Sequence, residues 1–195
     1  MKTSIYDHNE LFNNCHLCSE RDYATRPVPG TGPLDAKIAI LGRNPGAIED
    51  REGRGFIGRA GRKLDQGLIF ANLTRRECWI TNTVKCLTPP NRVPSLICQS
   101  ICTRQWLGPE LAQLEKLQLL IVLGNEALRY IEPKAFISDV IGTTWKMIAP
   151  WNGAPISIFA NFHPSAALRS IHRNRQFLDA FTNLEKLLVE RGMHQ

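Results

Sequence analysis

Three groups of residues have the types and spacing to do chemistry. Cys15 and Cys18 form a Cys-x2-Cys pair, and Cys86 and Cys102 follow with fifteen residues between them. Thiols gathered from distant parts of a chain that shows no disulfide framework are metal ligands, and on chemical grounds alone four of them point to zinc ahead of iron. Between the two pairs lies the polar turn Gly42-Arg43-Asn44-Pro45-Gly46, which offers exposed backbone and one carboxamide. Asn44 cannot act as a general base, but its carbonyl can accept a hydrogen bond from water and aim that water at an electrophilic carbon. Near the C-terminus, His163-Pro164-Ser165 supplies an imidazole that can donate to a developing anion. Of the two remaining cysteines, Cys78 falls in an apolar run as a buried thiol, and Cys98 stands as an alternative to Cys102 in the ligand set.

The elements that must position these groups follow from four short apolar runs, 37–42, 78–84, 119–124 and 155–161, each ending where Gly, Asn or His appears. Apolar on both faces and separated by amphipathic stretches, they predict an α/β protein, a three-layer α/β/α arrangement around a central, mainly parallel four-stranded sheet. Helices are expected over 61–72, 95–116, 125–131 and 174–191; in the last, Phe177, Leu178, Phe181, Leu184, Leu187 and Leu188 recur at helical spacing as a docking face. Pro and Gly clusters at 27–33 and 89–94 mark loops. In open α/β sheets ligands bind outside the carboxyl ends of the strands, and Gly42 to Gly46, Asn82, Lys85 and His163 all fall there.

The 195 residues suit one compact domain over 1–195, with 1–30 as an N-terminal metal-binding arm. A formal net charge of +6 draws the chain to polyanions. The N-terminus Met1-Lys2-Thr3-Ser4 leads into polar residues, not a secretory leader, so the six cysteines are expected in a reducing compartment. No apolar run reaches the ~18 residues of a membrane span. Charge and composition predict a cytoplasmic protein drawn to polyanions.

With these motifs in place, the chain resembles the iron–sulfur uracil-DNA glycosylases from about Cys15 to Arg169. The most specific segment is Glu49-Asp50-x-x-Gly53-Arg54-Gly55-Phe56-Ile57-Gly58-Arg59-Ala60-Gly61, similar to that family's Glu-Asp-x-x-Gly-Arg-Pro-Phe-Val-Gly-x-Ala-Gly. Thr81-Asn82-Thr83-Val84-Lys85-Cys86 is similar to its Thr-Asn-x-Val-Lys-Cys. The turn departs from the pattern. The family carries Gly-Glu-Ala-Pro-Gly or Gly-Glu-Gly-Pro-Gly, whereas Gly-x-Asn-Pro-Gly resembles the mismatch-specific thymine/uracil glycosylases and the single-strand-selective ones. Arg43 therefore sits where the iron–sulfur family places Glu, and Asn44 where the other families place their water-orienting Asn.

The resemblance implies a role for each site residue. Asn44 orients the water, and His163 stabilises the negative charge growing on the leaving base. Phe56 stacks on an extruded base, Asn82 reads its edge, and Glu49 lines the pocket towards C5, where thymine would clash. Arg59, Arg62 and Lys63 open the following helix and add charge near phosphate. Ser165, Leu168 and Arg169 belong to a loop that meets DNA, with Leu168 as a minor-groove wedge and Arg169 on phosphate. Cys15, Cys18, Cys86 and Cys102 match the ligands of a 4Fe-4S cluster, which the resemblance favours over zinc.

The implied activity is that of a monofunctional DNA glycosylase, which flips a pyrimidine, uracil first, out of DNA and hydrolyses its N-glycosidic bond. The same resemblance implies a nucleoid-associated monomer whose partner is DNA. Two other readings stand beside it. One is excision of a 5-modified pyrimidine from foreign DNA; the other is a non-catalytic uracil-DNA binding protein. Covalent trapping, known in a branch with a His-bearing insert, is disfavoured because residues 87–101 contain no His.

Overall fold

The computed structural model describes Tyr6 and residues 9–90 and 92–193; the expected leaderless start at 1–4 and Asn91 of the Pro-rich loop lie outside the described residues. The strands are β1 (Ile38–Gly42), β2 (Cys78–Asn82), β3 (Leu119–Leu123), β4 (Thr144–Ile148) and β5 (Pro155–Asn161). The helices are α1 (Glu10–Asn13), α2 (Glu20–Tyr23), α3 (Ala47–Glu52), α4 (Arg59–Phe70), α5 (Leu96–Cys102), α6 (Gly108–Ala112), α7 (Asn125–Ile131), α8 (Ile137–Val140), α9 (Pro164–Ala167) and α10 (Ile171–Glu190).

The sheet runs β2-β1-β3-β5-β4, with β2, β1, β3 and β5 parallel and β4 antiparallel to β5. The four expected strands are present, and a fifth joins them, correcting the four-stranded expectation. β4 escapes an apolar-run reading because it is an edge strand with no fully buried residue and with Lys146 exposed at its centre. Such half-polar edges protect a sheet against pairing with other chains. A tight hairpin leads into β5, with Gly153 at φ +72° donating its N–H to Ala149 O and Ala149 N–H donating to Ala154 O.

Strand alternation divides the core into two layers. Ile38 and Ile40 of β1, Ile80 of β2, Ile121 of β3 and Phe159 of β5 face α4 and α10. Ala39 and Leu41, Trp79, Leu120 and Val122, and Ile158 face the other side, with Leu111 of α6 and Leu128 of α7. Gly67 lets α4 approach α10 closely, since a Cβ there would lie 2.5 Å from the Phe181 ring. α10 begins at Ile171, three residues earlier than periodicity indicates, because Ser170 Oγ accepts from Arg173 N–H as an N-cap.

The helix expected over 95–116 is a composite. A π-helical turn at Thr103–Leu107 joins α5 to α6 and carries Trp106. A third cluster, formed by Tyr6, Phe12, Val84, Cys102 and Trp106, packs the N-terminal segment against this turn. The segment is thus fastened by aromatic contacts: Tyr6 and Phe12 stack at 4.4 Å, and both meet Trp106 edge-on.

Candidate active site

Beyond the carboxyl ends of β1, β2 and β5 lies a cavity of about 480 Å³, lined by Arg43, Asn44, Glu49, Phe56, Asn82 and His163 and rimmed by Arg59, Ser165, Leu168 and Arg169. The turn after β1 is tied to the end of β2: Thr83 N–H donates to Gly42 O (2.9 Å), and Val84 N–H (2.9 Å) and Thr83 Oγ1 (2.7 Å) donate to Arg43 O. This fastening brings Asn44 and Asn82 to one opening. Asn44 is held at both ends of its carboxamide, Oδ1 accepting from Arg43 Nε at 2.6 Å and Nδ2 donating to Pro45 O at 2.9 Å.

Asn82 closes the floor. It is buried, and among the described residues its Oδ1 has no hydrogen-bond partner. Gly42 must be glycine here, since a Cβ would strike the Phe56 ring and lie 2.5 Å from Asn82 Oδ1. Phe56 is buried at φ +55°, a left-handed backbone that a bulky residue adopts only when its surroundings impose it. The guanidinium of Arg75 imposes it by donating to the carbonyls of Phe56 and Gly61 while pairing with Asp65. Gly61 is equally constrained, because a side chain there would collide with the Phe56 carbonyl. Nothing in the sequence singles out Arg75; its partners lie ten to nineteen residues away and leave no periodic signal.

Glu49 is also buried, and its Oε1 accepts from the backbone N–H groups of Ile57 (3.0 Å) and Gly58 (2.8 Å). It thereby caps the start of α4 from a distance, and Oε2 is turned towards Gly46, 2.6 Å from where a Cβ would stand. The carboxylate lies on the cavity wall, with one of its two oxygens spent on holding the Phe56 loop.

His163 is the N-cap of α9, and its ring stands 5.9 Å from that of Phe56. Ser165 N–H donates to Nδ1 at 3.2 Å and Ser165 Oγ lies 2.8 Å from the same atom. An amide donor at Nδ1 requires that nitrogen to be unprotonated, so the neutral ring carries its proton on Nε2. Burial first, then the charges of Arg43 and Arg169, push the imidazole pKa down to about 4, so the ring is a neutral donor at physiological pH. Ser165, expected at DNA, is engaged in fixing this tautomer.

The expected DNA contacts separate. Arg59, Arg62, Leu168 and Arg169 are exposed, and among the described residues none of the three arginines forms a salt bridge. Lys63 instead turns inward: it is buried, donates to Gln66 Oε1 at 3.0 Å, and lies 5.7 Å over the Phe177 ring. Burial lowers its pKa from the ordinary lysine value.

A separate cavity behind β2 is lined by Cys15, Cys18, Cys86 and Cys102, with Lys85 and Trp106. Two N–H groups point at its sulfurs, Lys85 N–H at Cys102 Sγ and Trp106 Nε1–H at Cys15 Sγ, both at 3.3 Å. Burial pushes the thiols of Cys18 and Cys102 up to about 11 and 12, and that of Cys86 higher still. Among the described residues no three Cys, His, Asp or Glu side chains converge as a single ion requires. Cys98 is absent from this lining but its thiol adjoins that of Cys18 and lies 3.7 Å from Ser19 Oγ, and Cys78 is a buried thiol in β2.

A model of the uracil DNA glycosylase superfamily matches residues 29–185, the span from the sheet's first approach to the last turns of α10. The chain belongs to that superfamily. It is 34% identical to the type-4 uracil-DNA glycosylase of Thermotoga maritima over 166 residues, 83% of this chain and 82% of that protein. It is 32% identical to the type-4 enzyme of Pyrobaculum aerophilum over 172 residues, 83% of each chain. A type-5 uracil-DNA glycosylase of Pyrobaculum aerophilum is 30% identical over 161 residues, 73% of this chain and 67% of that one. Among the described residues no helix of this superfamily member is long and apolar enough to cross a membrane.

Proposed function

We propose that this chain is a uracil-DNA glycosylase that flips uracil into the cavity beyond β1, β2 and β5 and hydrolyses its N-glycosidic bond. Hydrolysis of a DNA N-glycosidic bond is the reaction class that comes with the family. The observation that carries the choice of base is Asn82. A buried carbonyl oxygen without a donor costs about 1–3 kcal/mol. Uracil supplies the missing donor at N3–H and presents O4 to the other end of the same carboxamide. Phe56 offers its ring as the stacking surface for the extruded base, and the exposed arginines at the rim meet phosphate.

Cleavage breaks the N1–C1′ bond, and its electron pair leaves with the base. Water forms the new bond to C1′ and gives up its proton to solvent. Negative charge therefore grows on the uracil ring, where the Nε2–H of a neutral His163 can donate to it, and positive charge grows on the sugar. Asn44 contributes geometry, since its Oδ1 keeps a lone pair with which to hold the water in line.

The four thiols suit a 4Fe-4S cluster. They line one cavity without converging on a point, and two N–H groups already face their sulfurs, as thiolate-held clusters favour. Cys15, Cys18, Cys86 and Cys102 would hold it, and it would fasten the N-terminal segment to the loop after β2, supplying no step of the hydrolysis. Protein purified without oxygen should be brown and carry iron and acid-labile sulfide; a colourless protein with stoichiometric zinc would contradict the assignment.

A panel of uracil, thymine-mismatch, cytosine and 5-hydroxymethyluracil DNA, scored for alkali-labile abasic sites, tests the function. Release of uracil is expected. Release of only the bulky base, or binding of uracil-DNA without release, would overturn the reading.

A further inference from the structure

One side chain of the cavity has no part in that chemistry. Arg43 follows β1 and lines the cavity beside Asn44, His163 and Arg169. Its backbone is fixed by the two hydrogen bonds its carbonyl accepts from Val84 and Thr83. Its Nε–H donates to Asn44 Oδ1 at 2.6 Å, and among the described residues it forms no salt bridge.

The consequence falls on Asn44. The terminal torsion of an asparagine is broad and two-fold, so an unrestrained carboxamide would present oxygen or nitrogen to a water with little preference. Here Pro45 O claims Nδ2 and Arg43 Nε claims Oδ1, which together select one orientation. A carbonyl oxygen has two lone pairs, and the guanidinium occupies one. The other remains for a water whose approach is then restricted to one side. A lysine could not substitute, because a freely rotating ammonium lacks the fixed planar fork from which Nε–H points. The guanidinium also stands within electrostatic reach of the imidazole, as its effect on His163 shows.

We propose that Arg43 is a positioning residue, which locks the Asn44 carboxamide so that its carbonyl oxygen receives the nucleophilic water. This rests on reading the chain as a uracil-DNA glycosylase that uses Asn44.

The test is a double-mutant cycle on single-turnover uracil release with Arg43→Lys, Arg43→Gln, Asn44→Ala and the combined variants, beside measured DNA affinity. Each Arg43 change should slow release by about 10–100-fold, as a slight misplacement of a catalytic group does. In the Asn44→Ala background the same changes should cost less than about threefold, the mark of residues acting as one unit. Equal losses in both backgrounds, wild-type release by Arg43→Lys, or a loss explained by weaker DNA binding would each overturn the proposal. A wild-type protein that released no uracil would instead sink the functional reading. The Asn44 side-chain amide signal in NMR reads the bond without any substrate. It should move in both Arg43 variants while that of Asn82 stays in place, and an unmoved Asn44 signal would count against the proposal.

Discussion

Asn82 and Lys85 are three residues apart in the chain, are both buried, and face opposite electrostatic situations. Lys85 and Glu110 are shielded from water, with side-chain exposures of 1% and 0%, and their network is complete: Lys85 Nζ donates to Glu110 Oε2 (2.8 Å) and Thr81 Oγ1 (2.6 Å), and Glu110 Oε1 accepts from Trp79 Nε1 (2.9 Å). Asn82 Oδ1 has no partner among the described residues. The same strand end thus serves two purposes. On the thiol side the buried ion pair is satisfied from within, as a structure that must stay closed requires. On the cavity side satisfaction is withheld, and a ligand can supply it.

The comparison breaks first under Lys85→Met. Removing one partner of a buried pair should destabilise the fold by about 3–5 kcal/mol, read as a lower urea midpoint, because the buried Glu110 loses its counter-charge. A loss below about 1 kcal/mol would show that the pair is not sealed from water. His163→Ala should do the reverse: base release should fall by about 10²–10³-fold with DNA affinity nearly unchanged, as for loss of one donor to a developing anion. Equal loss of binding and rate would place His163 in DNA recognition instead.

A smaller effect sharpens the contrast through pH. The folded His163 holds its pKa near 4, below the ~6.5 of an unfolded histidine. Between those values the unfolded chain binds the extra proton, so stability should rise with pH across this window and be lost on acidification through it. His163→Gln should flatten that part of the urea-midpoint profile. An unchanged slope would mean the ring titrates normally in the folded protein.

The parallel strands were legible because each is apolar on both faces; β4 was not, since an edge strand needs only half a pattern. Asn44, Asn82 and His163 could be placed at one opening from their position at strand ends, whereas Phe56 was legible only through the family segment that carries it. Their partners were not legible. Glu49 could be read as a pocket acid, but its bonds to the backbone of Ile57 and Gly58 leave no trace in residue types. Lys63 illustrates the same limit: Arg59, Arg62 and Lys63 read as a charged helix start, yet Lys63 is buried over the Phe177 ring of α10, a contact with a distant part of the chain. Lys85 and Glu110 lie twenty-five residues apart and reveal themselves as a pair only in space.

The central claim is that the carboxamide of Asn82, with its unpaired carbonyl oxygen, reads the edge of a flipped uracil. Single-turnover release of uracil by wild-type protein and by Asn82→Leu tests it most directly, with melting temperature as the control. The leucine removes the orphaned oxygen, so stability should hold or rise while uracil release falls by about 10²-fold or more, as when a site loses the group that pairs with its substrate. Undiminished uracil release by a folded Asn82→Leu protein would contradict the account.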